Sequence, residues 1–228
     1  MPGFFTDPQG RVRPIRGRGG GAAVAAGVLA LGVYASGGAA TGGGVAGEVA
    51  GEAAGAGGGS SSSALRARRS EGQKTARKGD PDGAWRSMRV RQVRRTARQW
   101  AGCQAVSYGE VREFFARTPC TSLERAAFAL VDEAGNAAVV SVVWVGMAGA
   151  GDARSLKGVM DDHGSGDIRP LGAAALESAD VEFTGLRYGS DQDGGTVTFA
   201  EAENLPGSGF DHDTLDALAE VAAFLPRV

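Results

Sequence analysis

Apolar positions along this chain are patterned in three ways, and only the C-terminal pattern has the periods of a folded domain. Residues 123–132 and 137–147 are rich in apolar, β-branched and aromatic side chains and are joined by Glu133-Ala134-Gly135-Asn136, a turn composition that predicts a hairpin. Positions 139–145 are apolar on both faces apart from Ser141, the mark of a central strand covered on both sides. Residues 181–188 and 196–203 predict a second hairpin across 189–195, where Asp and Gly supply turn backbone. A capping-box pattern, Ser107-Tyr108-Gly109-Glu110, opens a short helix with Val111, Phe114 and Phe115 on its apolar side, ended by Thr118-Pro119. Residues 152–163 predict a second helix closed by Gly164. Asp211 or Asp213 caps the last helix, whose stripe of Leu215, Leu218, Ala222 and Leu225 stops at Pro226. The resulting order, αββαββα over residues 103–228, predicts an α+β fold with a four-stranded, mainly antiparallel sheet backed by helices.

The middle pattern is basic. Wound at 100° per residue, the segment from Trp85 to Trp100 becomes amphipathic, so residues 85–102 are expected to form a helix. Trp85, Met88, Val90, Val93, Ala97 and Trp100 then share one side, while Arg91, Arg94, Arg95 and Arg98 share the other. Arginines opposite an apolar face ending in tryptophans suit an anionic lipid surface or an envelope polymer, with Trp85 and Trp100 as interfacial anchors. Nucleic acid is the rival anion, but no DNA-binding motif and no stacking platform accompanies the arginines.

The N-terminal pattern is continuous rather than periodic. Residues 19–47 carry no charge, and 22–35 is the most apolar stretch of the chain. Read with Arg11, Arg13, Arg16 and Arg18 before it, this predicts a cytoplasmic tail (1–18), a transmembrane helix or signal anchor (19–40), and everything after it outside the cell. Secretion after cleavage near residues 38–41 is the alternative. Residues 41–84, dominated by Gly, Ser and Arg, are expected to be a disordered linker.

Charge sharpens this division. The formal net charge of -2 hides a balance of +9 over residues 66–98 against -12 over residues 99–228. The two cysteines, Cys103 and Cys120, flank the first helix of the domain, and an even, local pair fits a disulfide in an oxidising compartment, against two reduced core thiols.

Little else carries chemistry. Asp161, Asp162, His163 and Asp167 gather carboxylates and one of two histidines at a helix end, a candidate metal site against the alternative of capping and solubility. An enzyme built there requires them to converge with His212 or Glu201. Glu201 and Glu203 alternate along one strand face, in the manner of a solvated sheet surface. Asp191-Gln192-Asp193-Gly194-Gly195 begins like a calcium loop, but Gly195 and Ala202 stand where ligands are required. No nucleotide loop, nucleophile elbow or HExxH occurs, so neither a catalytic residue nor a cofactor is assigned.

The pieces Val111-Arg112-Glu113-Phe114-Phe115, Thr118-Pro119-Cys120, Gly164-Ser165-Gly166-Asp167-Ile168 and Leu225-Pro226-Arg227 resemble a family of uncharacterised actinobacterial membrane or secreted proteins. The resemblance covers residues 103–228. It implies a compact exported domain with paired cysteines and brings no activity with it. The sequence thus points to a membrane-anchored envelope module that binds a protein or small-molecule ligand. The alternatives are an envelope-directed enzyme or metal-binding domain, and a cytosolic nucleic-acid binder.

Overall fold

The computed structural model describes residues 3–6, 12–15, 57–96, 99–171 and 181–227. The elements, in chain order, are β1 (Gly3–Thr6), β2 (Val12–Ile15), α1 (Gly57–Arg77), α2 (Pro81–Ser87), β3 (Val90–Arg95), β4 (Gln99–Trp100), β5 (Ser107–Tyr108) and α3 (Gly109–Arg117). They continue with β6 (Ser122–Asp132), β7 (Ala137–Gly146), α4 (Ala150–Met160), β8 (Gly166–Ile168), β9 (Tyr188–Asp193), β10 (Thr196–Asn204) and α5 (His212–Ala222). The proposed span, 19–40, lies outside the described residues, and none of the described helices is long and apolar enough to cross a membrane.

The α+β expectation holds, with more strands than expected. The central sheet has six strands rather than four, antiparallel in the order β3-β6-β7-β10-β9, with β4 also pairing on β6. β1–β2 and β5–β8 form separate two-stranded pairs. The β6–β7 hairpin falls where the apolar runs and the turn composition placed it, and Val139 to Val145 are buried throughout.

Two faces of this sheet are packed differently. One is covered by α1, α2 and α5, where Trp85, Phe128, Val140, Trp144, Leu218 and Val221 join one core. The other is covered by α3, α4 and β8, where Val111, Phe115, Leu123, Val145, Leu156 and Phe199 form a second core. Two layers therefore bury both sides of β7, which is why its sequence is apolar without alternation.

The helix expected over 85–102 does not form. α2 ends at Ser87, Arg89 takes a left-handed backbone with φ of 60°, and the chain leaves as strand β3. Arginine is a good helix former, so local propensity favours the helix. Pairing β3 with β6 satisfies the exposed backbone of β6 and turns Val90 into the core, and this tertiary gain decides the outcome. Trp85, expected at an interface, is fully buried with its ring 6.0 Å from that of Phe128. Nor is all of 41–84 linker: α1 and α2 occupy residues 57–84, and Ala76 and Ala84 are fully buried in the same core.

Two smaller expectations also change. The capping box is not made, because Ser107 sits in β5 and its hydroxyl donates to the Cys103 carbonyl at 2.6 Å. Tyr108 takes the N-cap position without a side-chain bond, while Glu110 N–H donates to the Ser165 carbonyl. The second hairpin shifts along the chain: residues 189–193 are strand rather than turn, and the turn lies at Gly194-Gly195. Gly189 is needed for close approach, since a Cβ there would stand 2.6 Å from the Ala219 carbonyl oxygen of α5. At the start of α5, Asp211 caps as expected, accepting from Thr214 N–H at 2.7 Å.

Cys103 and Cys120 stand at disulfide distance, their Cα atoms 6.4 Å apart. They join the chain just after β4 to the chain just before β6, across the loop that contains α3.

Candidate functional site

β3 is an end strand of the sheet, and its sequence loads that edge with cations. Alternation about the bulge at Val93 puts Arg91 and Arg94 on one face of the sheet, and Gln92 and Arg95 on the other. Arg91, Arg94 and Arg95 are exposed, and the Arg95 guanidinium lies 5.3 Å from the centre of the Phe128 ring. Val93 is 43% exposed and Trp100, in β4 on the same edge, is 69% exposed. Of the large hydrophobic side chains exposed among the described residues, only Leu186 lies elsewhere.

At the start of β3 an open cleft of about 370 Å³ is lined by Arg86, Arg89, Arg91, Val90, Val131, Asp132 and Glu133. The Asp132 carboxylate accepts from the Asn136 amide at 2.9 Å and from its backbone N–H at 2.8 Å, and these bonds hold its carboxyl below the usual aspartate value, so it stays charged. Arg86 reaches Asp80 at 3.8 Å, and Arg89 and Arg91 make no ion pair among the described residues. Three arginines against Asp132 and Glu133 leave the lining one positive charge in excess.

Of the residues expected to contact an anionic surface, Arg91, Arg94, Arg95 and Trp100 share this edge, Trp85 is in the core, and Arg98 lies outside the described residues. Arg86, Arg89 and Val93 join the edge, although on the expected helix all three fall on the apolar arc, the two arginines as misfits. The missed signal was Arg89 itself, where the helix had to stop.

The acidic constellation is dispersed. Asp161, at the C-cap of α4, accepts from Lys157 Nζ, from the Tyr188 hydroxyl at 3.0 Å and from the Ser190 hydroxyl at 2.7 Å. Burial, reinforced by the Asp161 and Asp167 charges, pushes the Tyr188 phenol well above its ordinary range. Asp167 is buried in β8 and accepts from Ile168 N–H at 2.7 Å. It meets Glu201 and Ser141 around a cavity of about 10 Å³, the room of roughly one water molecule. Asp162 is exposed and His163 half-buried. His212 is on α5, the other side of the sheet, 3.4 Å from Asp216. No group of three or more His, Cys, Asp or Glu side chains is placed to hold a metal among the described residues.

Glu201 and Glu203, expected on a solvated face, are both buried. The Arg187 guanidinium meets Glu203 at 3.0 Å, and the Thr184 hydroxyl and N–H donate to the same carboxylate. Four hydrogen bonds from three donor atoms account for the burial of a charge that alternation alone assigns to solvent.

No family model, curated protein or solved structure matches this chain.

Proposed function

We propose that this chain is a non-enzymatic envelope module, anchored through residues 19–40, whose extracytoplasmic domain docks on anionic lipid headgroups through the β3–β4 edge. The observation that carries the reading is the placement of Val93 and Trp100 in water beside Arg91, Arg94 and Arg95. Guanidinium groups attract anionic headgroups by about 1 kcal/mol each near the surface, and an indole partitions to the headgroup level. An arginine edge serving only to keep the sheet from pairing with other chains has no need of an exposed tryptophan. The paired-cysteine geometry agrees with an oxidising compartment.

The test uses the full chain reconstituted in vesicles of phosphatidylcholine with or without phosphatidylglycerol, one lipid at a time carrying brominated acyl chains. Trp85 and Trp144 are buried, so contact quenching by bromine reports Trp100. Quenching that requires the anionic lipid, disappears in Trp100→Phe and falls with salt is the expected result. Replacing Arg91 and Arg94 by glutamine is expected to weaken docking by about 2 kcal/mol, roughly thirtyfold. Equal quenching in neutral vesicles, or none in either, overturns the reading.

A further inference from the structure

A cleft larger than the one at β3 lies away from the arginine edge, beyond the end of α5. Beyond Ala222 the helix gives way to a tail, and Trp144 Nε1–H pins that tail by donating to the Leu225 carbonyl at 2.9 Å. The sheet beneath keeps two cross-strand rows on this face. Trp144 of β7, Thr198 of β10 and Asp191 of β9 are in register, followed by Gly146, Thr196 and Asp193. Arg77, the last residue of α1, closes one side with its guanidinium 3.9 Å from the centre of the Phe224 ring and 3.7 Å from Asp191. Arg227 is on the tail, its Nη1 3.6 Å from the buried Glu124. These groups surround about 560 Å³, within the range of small-molecule sites.

Three features give the space a ligand chemistry. Its charged lining is balanced, with Arg77 and Arg227 against Asp191 and Asp193. Thr198 lines the cleft, and its hydroxyl makes no hydrogen bond among the described residues, which leaves it open to a partner in the cleft. The Asp191 carboxyl is pushed up by burial, with the nearby Arg77 charge acting against that rise, so this row is partly withdrawn from solvent.

We infer that this cleft binds a small zwitterion of amino-acid or dipeptide size, its carboxylate toward Arg77 and Arg227, its ammonium toward Asp191 and Asp193, with Thr198 completing the polar contacts. A simple anion leaves the two aspartates opposed to it, and a simple cation leaves the two arginines opposed, so only a ligand with both charges matches the whole lining. The site is independent of lipid docking, because none of its residues lies on β3 or β4.

The experiment is calorimetric titration of the full chain with alanyl-alanine, N-acetyl-alanyl-alanine and alanyl-alanine amide. Saturable binding of the free dipeptide, weakened about tenfold or more by blocking either end, is expected, each lost charge-assisted contact being worth at least about 1.4 kcal/mol. Thr198→Val and the exposed Asp193→Asn are each expected to weaken the free dipeptide severalfold while leaving the melting temperature in place. No saturation with the free dipeptide, equal binding of the blocked forms, or unchanged affinity in both variants overturns the proposal.

Discussion

The sheet has two ends, and the chain treats them in opposite ways. At β9 the edge is closed by the protein's own groups: Arg77 of α1 pairs with Asp191 at 3.7 Å. α5 lies so close over this strand that only glycine fits at position 189. At β3 the outward residues are arginines, with a bulge at Val93 and an exposed Trp100. Both edges avoid pairing with other chains, one by an ion pair and helix cover, the other by charge and irregularity. Charge deters strands but attracts anions, so the second solution leaves the strand edge itself as a surface for anions, and the first does not.

The two tryptophans bracketing the basic segment offer the sharpest way to break this contrast. Trp85→Ala is expected to cost about 3–5 kcal/mol in urea unfolding, the usual loss for a fully buried Trp, because the ring fills the core behind β3. Trp100→Ala, at 69% exposure, is expected to leave unfolding unchanged and to remove lipid docking. Equal effects of the two on stability would mean that the β3–β4 edge is covered in solution and the comparison of edges is wrong.

A smaller effect is expected at the foot of the same edge. The 17-residue separation of Cys103 and Cys120 makes the bridge worth about 3 kcal/mol in the chain-entropy model. Unfolding with and without a reductant measures it, and β4, which pairs over only two residues, is expected to gain hydrogen exchange before β9 does. Exchange rising first at β9 would reverse the ranking of the two ends.

The smallest expected effect tests the α5 cover over β9. Asp211→Ala is expected to cost about 1 kcal/mol through loss of the N-cap. The cap bonds from Thr214 hold the Asp211 carboxyl below its ordinary 3.8, so the folded state binds the proton less readily than the unfolded one. Its contribution is therefore complete above that ordinary value and lost as pH falls through the depressed one. Wild-type and variant stabilities are expected to converge as the solution is acidified through this window, which urea melts at several pH values follow directly.

Much of the domain was legible from alternation and caps alone. Residues 123–147 read as a hairpin because two long β-branched and apolar runs flank a turn composition at 133–136, and α5 read as a helix because Asp211 and the leucine stripe agree with each other. The edges were less legible. β3 carries good helix formers and only one buried residue at its start, Val90, so neither composition nor periodicity marks it as a strand. Gly189 looked like a turn glycine because sequence does not distinguish a bend from a close approach by a helix more than twenty residues away.

By itself, then, the sequence determined an α+β domain at the C-terminal end, the local cysteine pair, and the opposite charges of the basic segment and the domain. Those follow from composition, spacing and local periodicity. Tertiary structure alone decided that the basic segment is an edge strand, that Trp85 is core while Trp100 is surface, and that Asp191, Thr198, Arg77 and Arg227 share one cleft. These depend on backbone pairing and packing between residues far apart in the chain, where the free energy of burying β6 and both faces of β7 outweighs the preferences of any single segment.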